Sequence, residues 1–490
     1  MAQNMGSVTA VGGYLPLLRL DRAYAANCLR PMGLGGRQSG HRAVAGWDED
    51  ALTMAVEASR AIISTVSAPP ERLIFASTSA PFTERAHATI MIDALALPAA
   101  TRTADAAGSR RCAVSALLDA LISGQNSVIA AAERRPARAG SAAHLAYGDG
   151  AAAVRTAPCG GGADGGAAGG SGAVLVGWHS SAQDFLDIYA STEHPTPYAS
   201  EERFVRDVAA GRIIAPAIIA ACASAGIAPA AIAHAAVHEP LANMWKDVAR
   251  ATGITAPNHC ATLSATAGDL GAAHPLMAFA LACDAASVGD YILLCGFGSG
   301  CDALLFRMDG PVAGAAAVRA ALATGQPLAD YVRFLALTGR LDLDFGARSE
   351  FEQKAQATVL SRHGRDTIGF IGGRDQRGNV QFPKSAVPIH PDATGVEPLE
   401  DVRLADEPAR LASVTADRLN FTPDPPFWFG LVQFANGARL LMELTDANPA
   451  GFAVGDDVSM RLRVKSHDRR RGMRTYFWKA APANRPALGG

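Results

Sequence analysis

Across residues 1–310, short bounded apolar runs alternate with long helical ones, and this alternation limits the folds open to the chain more than any other feature. "RLIFAST" (72–78), "SVIAAAE" (127–133), "GAVLVGWHS" (172–180) and "YILLCGF" (291–297) read as buried strands, with "ALLFRM" (303–308) as the partner of the last. Residues 49–66, 113–123, 204–225 and 274–287 carry helical patterns. Strands this apolar need cover on both faces, so the reading is an α/β fold with helices on either side of a sheet. Apolar residues make up 49% and charged residues 18%, which permits a large core and argues against global disorder. A chain of 490 residues should hold two to four domains at about 100–200 residues each.

The formal charge is −2, which gives no sign of a nucleic-acid footprint. The eight cysteines (28, 112, 159, 222, 260, 283, 295 and 301) form no C-x-x-C pair and read as free thiols in a reducing compartment. Residues 1–20 lack a basic start followed by an apolar run. The longest apolar stretches, rich in Ala and Gly, read as falling short of the roughly 20 residues of a membrane span. The expectation is a cytoplasmic protein with no membrane and no nucleic-acid partner.

Residues 158–173, "PCGGGADGGAAGGSGA", lack the strand–G-x-G-x-x-G–helix context of a phosphate cradle and read as a surface loop. Beyond residue 310 the pattern changes. Residues 311–365 read as a helical linker and 366–400 are turn-rich. Residues 401–490 hold β-patterned runs separated by turn signals at Ala435-Asn436-Gly437 and Val454-Gly455-Asp456-Asp457, as in a small β-barrel.

Several segments resemble the thiolase superfamily, in its 3-hydroxy-3-methylglutaryl-CoA (HMG-CoA) synthase and β-ketoacyl synthase III branch. They are "GHRAVAGWDEDALTMAVEA" (40–58), "YGDGAAAV" (147–154) and "GDLGAAHPLMAFALACDAASVGDYILLCGFGSGCDALLF" (268–306). The resemblance implies a duplicated α/β/α/β/α core over residues 1–310, a homodimer, and acyl-CoA thioester substrates. It implies no tightly bound cofactor; coenzyme A comes and goes as the substrate's carrier. The C-terminal part resembles an accessory domain that pairs a rubredoxin-like zinc ribbon with an OB-fold. No cysteine follows Cys301, and a zinc ribbon needs four soft ligands, so residues 366–400 read as a metal-free remnant and 401–490 as the OB-fold.

The resemblance also supplies site candidates. The family's nucleophile is a cysteine at a helix N-terminus, where the dipole stabilises a thiolate. "ADAAGSRRCAVSALLDAL" (104–121) is the matching segment and offers Cys112, which reads as that nucleophile or as a buried structural thiol, and an ungapped register places the nucleophile at Arg110 instead. His238, in "AAVHEP", matches the strand-end histidine that polarises a thioester carbonyl. Asp269 stands where these synthases carry Asn. It can serve as a base, donate if burial keeps it protonated, or merely cap the following helix. His274 reads as a helix histidine or a ligand. Ser77-Thr78-Ser79 lacks the Glu base of HMG-CoA synthase, and Arg42 or Arg203 is a candidate for the CoA diphosphate. The basic run "RLRVKSHDRRRGMR" (461–474) reads as a solvated strand edge, a CoA contact or a nucleic-acid groove.

Three functions follow as alternatives. The first is an acyl-CoA acyltransferase that makes or breaks the C–C bond next to the thioester carbonyl, with Cys112 carrying the acyl group and Asp269 moving a proton. The second is a CoA-dependent retro-aldolase on a 3-hydroxyacyl-CoA, which needs no covalent intermediate. The third is a non-catalytic acyl-CoA-binding scaffold.

Overall fold

The computed structural model describes the chain except residues 1–4, 64–67, 159–171, 342, 345–356, 386, 392–394, 469–470 and 486–490. The glycine-rich segment 158–173 therefore lies almost wholly outside the described residues. Nine strands form one mixed sheet: β1 (Ser7–Tyr14), β2 (Arg72–Ala76), β3 (Arg102–Ala106), β4 (Ser127–Glu133), β5 (Gly150–Ala157), β6 (Ala173–Ala182), β7 (Ile232–Val237), β8 (Tyr291–Phe297) and β9 (Gly300–Met308). Their order is β7-β8-β9-β6-β1-β5-β4-β2-β3.

The sheet is a duplication. From the centre outward, one half runs β1-β5-β4-β2-β3 and the other β6-β9-β8-β7. Both halves begin with two antiparallel pairings and continue with parallel ones. A parallel bridge from Ala235 to Asn258 stands where a fifth strand would extend the second half. The halves join through β1 and β6, at Ser7–Val174 and Val8–Ala173.

Helices complete five layers. Helix α1 (Ala51–Ile63) covers β1, β4 and β5, and α3 (Ala215–Ala225) covers β6 and β9. Between the halves lie α2 (Cys112–Ser123) and α5 (His274–Ala285), each touching strands of both; α4 (His259–Ala267) packs beside α5. These two middle helices are apolar nearly all round because both faces meet sheet, as the burial of every α5 residue from His274 to Cys283 shows. Helix α3 ends a continuous helical run, Glu202–Ala225, that is apolar and long enough to cross a membrane by length and composition. This corrects the expectation that no stretch reaches that length. About half of the run's apolar window is buried inside the fold, where α3 forms an outer layer.

Helix Ala315–Leu322 packs on β1 and α5, and Gln326–Pro327 adds to a small sheet with Leu18–Asp21 and His41–Val44. Ile371–Arg374, Val380–Gln381 and Glu400–Arg403 form a three-stranded sheet. Six further strands follow: β10 (Ala409–Leu411), β11 (Thr415–Asp417), β12 (Phe427–Phe434), β13 (Arg439–Glu443), β14 (Asp457–Asp468) and β15 (Met473–Pro482). The pairing path runs β13-β12-β10-β14-β15, with β11 also on β12, and a Leu444–Ala480 bridge brings its ends together. Gly437, at φ 94°, makes the turn from β12 into β13.

The C-terminal sheet is fastened to the core by charge and by apolar packing. Leu52, Val56 and Met91 belong to the same buried cluster as Phe370, Leu462 and Trp478. The lead-in to α1 supplies Asp48, Glu49 and Asp50, and α1 itself supplies Glu57. Lys479 Nζ lies 2.9 Å from Asp48, Arg463 3.3 Å from Glu49, and Arg474 3.0 Å from Asp50. Arg461 donates to Glu57 at 2.6 Å, and the Leu462 N–H donates to the same carboxylate. Most of the basic run 461–474 is thus occupied inside the molecule. Arg461, Arg463 and Arg474 meet core carboxylates, and Lys465 meets Glu443. This corrects the expectation of a free cationic edge.

Removing one partner of a buried pair leaves an uncompensated charge, at a cost of roughly 3–5 kcal/mol. Glu57→Ala should therefore lower the urea midpoint strongly while leaving β-sheet circular dichroism intact. Burial would raise the Glu57 pKa, but Arg60 and Arg461 overcome it and hold the pKa at about 2. Its stabilisation is complete above the unfolded value of about 4.3 and fades as pH falls toward 2. Stability of the native chain should drop more steeply across that window than stability of Glu57→Gln.

Candidate active site

The C-terminal end of β7 and the turn before α5 meet at one point. Asn258 holds Val237 at both backbone atoms, accepting from its N–H at 3.0 Å and donating to its C=O at 2.9 Å. The next residue, His238, donates its N–H to Cys295 O on β8. Opposite, backbone 267–269 crosses backbone 146–148 in contact, with Asp269 N bonded to Ala146 O and Gly148 N to Asp269 O. A Cβ at Gly148 would lie 2.1 Å from Ala267 O, so glycine alone permits this crossing. It is the physical content of the "YGDG" and "GDLG" segments.

His238 and Asp269 converge. Nε2 of His238 lies 3.1 Å from Asp269 Oδ1, and Arg135 Nη2 lies 2.8 Å from Oδ2. The Gly271 N–H donates to Oδ1 at 2.9 Å. Burial would push the Asp269 pKa up, but Arg135 first and then His238 hold it well below the usual carboxylate range. Asp269 is therefore an ionised acceptor rather than the protonated donor. A carboxylate cannot donate, so Nε2 of His238 carries the hydrogen between them. His238 Nδ1 is then the free nitrogen, buried with no hydrogen-bond partner among the described residues. The Asp269 side chain is 23% exposed, whereas His238 and Arg135 are 2% and 3% exposed, so the dyad meets solvent at its carboxylate. The bond from Gly271 N–H ties Asp269 to the turn Gly271–Ala273, whereas neither that turn nor α5 has a side-chain N-cap.

His274 takes a supporting part. The Leu270 N–H donates to its Nδ1 at 3.1 Å, and its Nε2 donates to Cys260 O at 3.0 Å. Burial lowers its pKa to about 4, which keeps it neutral.

Cys112 opens α2, but burial, reinforced by the charge of Glu133, raises its thiol to about 12. This environment is the reverse of one that makes a thiolate, and it favours the structural thiol over the acylated nucleophile. The turn ahead of the helix carries two charged side chains instead. Arg110 is ion-paired with Asp187, and Arg111 donates to Ser181 O at 2.8 Å and lies 3.5 Å from Asp302.

Arg42 is not available to a diphosphate. It is buried 3.8 Å from Asp149, bonded to His144 O and stacked on Phe334. Arg203 is exposed on helix Glu202–Val208. Thr78, in the place of the missing Glu, bonds a carboxylate from another strand. Glu133 accepts from Thr78 N and Oγ1 and from Ala272 N at Oε1, and from Ser79 Oγ at Oε2, so it serves as a brace between these segments.

Sequence reasoning missed Glu133-Arg134-Arg135, three consecutive charges closing an otherwise apolar strand. Glu133 fixes the 78–79 turn. Arg134 bonds Glu49 O and Leu337 O, and Arg135 holds Asp269 with its guanidinium 3.7 Å from the Tyr147 ring. Their abrupt appearance after Ala132 was the available signal. Among the described residues no group of three or more His, Cys, Asp or Glu could hold a metal ion.

No family model matches the sequence, and no curated protein does. Solved structures match the fold. An HMG-CoA synthase complexed with CoA aligns with TM-score 0.56 at 13% identity, over 72% of this chain and 95% of its own. PksG, an HMG-CoA synthase from Bacillus subtilis, gives 0.54 at 17%, over 71% and 95%. OleA of Xanthomonas campestris with bound lauric acid and lauroyl-CoA gives 0.53 at 16%, over 63% and 99%. At these identities the shared property is the thiolase-type fold.

Alkylation tests the thiol assignment. Iodoacetamide at neutral pH should label Cys28, the exposed thiol among the described residues, and leave Cys112 unmodified in the folded protein by peptide mass mapping. Rapid labelling of Cys112 would contradict its buried, protonated state.

Proposed function

We propose that the protein breaks or makes the C–C bond next to the carbonyl of an acyl-CoA thioester, as a retro-aldolase on a 3-hydroxyacyl-CoA, without an acyl-enzyme on Cys112. The observation that carries this reading is an imidazole paired with an ionised carboxylate, His238–Asp269 at 3.1 Å, together with a Cys112 thiol kept protonated by burial. The CoA and lauroyl-CoA in structures of the same fold support a thioester substrate.

In the proposed step, the His238–Asp269 dyad takes the proton of the 3-hydroxyl group at its solvent-facing carboxylate. The C3–O bond becomes a carbonyl, the C2–C3 bond breaks, and its electron pair moves onto the thioester as an enolate. Protonation at C2 then gives a shortened acyl-CoA and releases the carbonyl fragment. His238 Nε2–H and Arg135 hold that carboxylate in place. The OB-fold and metal-free ribbon readings of the C-terminal sheets belong to the same proposal. So does dimerisation through β3, a largely exposed strand at the sheet edge.

A 3-hydroxyacyl-CoA should yield an aldehyde or ketone with no acyl adduct by intact mass. His238→Ala should lower turnover by about 10²–10⁴-fold, while Cys112→Ala should stay near the native rate. A stable adduct abolished by Cys112→Ala would restore the acyltransferase reading. Thioester binding without turnover would leave the scaffold. Light scattering should give twice the monomer mass, and a proline within 102–106 should give the monomer.

A further inference from the structure

The reaction proposed above ends with a proton delivered to C2, and few groups beside the dyad have one to give. Asp269 is ionised, and the Nε2–H of His238 is directed at it. Arg135 keeps its protons as a guanidinium. Both nitrogens of His274 are bonded, the Thr78 and Ser79 hydroxyls donate to Glu133, and the Cys112 thiol is buried. The phenol of Tyr147 remains.

Backbone geometry places that phenol beside the carboxylate. A parallel bridge pairs Tyr147 with Asp269, through Asp269 N to Ala146 O at 2.8 Å and Gly148 N to Asp269 O at 2.9 Å. Paired residues send their side chains to the same side of the two backbones, so phenol and carboxylate start out together. Arg135 joins them a second time, 2.8 Å from Asp269 Oδ2 and 3.7 Å from the centre of the Tyr147 ring. Tyr147 as a whole is 7% exposed. Its hydroxyl has no hydrogen-bond partner among the described residues, yet it is not one of the polar atoms enclosed away from solvent. The ring is thus buried while the O–H is open, like the carboxylate next to it. Stacking on Arg135 asks only for the ring, which leaves the hydroxyl without a structural task. Burial raises the phenol's pKa, partly offset by Arg135, so the O–H is intact at neutral pH. A guanidinium on the ring face also steadies the phenolate formed when that proton leaves.

We propose that Tyr147 donates the proton that C2 of the enolate takes up, which makes it a catalytic residue. The O–H bond of Tyr147 breaks as the C2–H bond forms, and the thioester carbonyl is restored from the enolate. The phenolate then regains a proton through solvent from the Asp269 carboxyl that took the 3-hydroxyl proton, so both groups end as they began. The inference rests on the aldolase reading above and adds the donor that its last step requires.

Proton exchange of acetyl-CoA tests it. In the reverse direction the phenolate of Tyr147 removes a C2 proton from the shortened acyl-CoA. The native protein in D₂O should therefore exchange the acetyl methyl protons of acetyl-CoA, read from the mass of the recovered thioester. Tyr147→Phe keeps the ring on Arg135 and removes only the O–H, and it should slow the exchange at least about 10²-fold. 3-Fluorotyrosine at position 147, a more acidic phenol on the same ring, should move the onset of exchange to lower pH. A packing role would not produce that shift, and the fluorotyrosine protein decides the matter alone should Tyr147→Phe fail to fold. Native exchange in folded Tyr147→Phe, an unmoved pH profile with fluorotyrosine, or no exchange by the native protein overturns the donor role. Exchange that depends on Tyr147 in a protein that cleaves no 3-hydroxyacyl-CoA would retain the donor and reject the aldolase reading, so the two failures are distinguishable.

Discussion

The ion pair between Arg135 and Asp269 is the contact on which the arrangement of the site depends. It joins the end of a central strand in the first half of the core to the turn before α5 in the second. Without it a largely enclosed carboxylate would lose its main counter-charge, and its hydrogen bond to His238 would lose direction. A buried pair of this kind adds little net stability over apolar packing, whereas losing one member is costly. Its value lies in geometry. It keeps Asp269 ionised, and an ionised Asp269 dictates which nitrogen of His238 carries the proton.

The same strand end ties three regions together. Glu133 braces the 78–79 turn, Arg134 reaches the carbonyl of Glu49 within the acidic lead-in to α1, and Arg135 holds the dyad. That acidic lead-in also anchors the C-terminal sheet through Lys479, Arg463 and Arg474. The C-terminal domain is therefore linked to the site by a short series of hydrogen-bonded residues, so its docking is expected to influence the dyad's alignment.

Much of the core was legible in the sequence because its signals are local. Strands 127–133 and 291–297 coincide with bounded apolar runs, and the middle helix 274–285 with a segment apolar on all sides. His238 and Asp269 came from resemblance, and the crossing of two glycine-bearing backbones fixes where Asp269 lies. What misled was long-range. Cys112 looks activated because it begins a helix, but the burial and the Glu133 charge that raise its thiol come from elements far away in sequence. Arg42 looks like a phosphate ligand until Asp149 and Phe334 enclose it. The basic run near the C-terminus looked solvated because its acidic partners lie some 400 residues earlier.

The central claim concerns a single proton: Nε2 of His238 carries it toward the ionised Asp269, and Nδ1 is bare. Nitrogen NMR of histidine-labelled protein at alkaline pH, with His238 assigned by its absence from His238→Ala, reads that tautomer directly. The account requires a protonated Nε2 and a bare Nδ1 at His238, with the preference lost in Arg135→Met. A native His238 protonated at Nδ1, with a bare nitrogen facing Asp269, would contradict it.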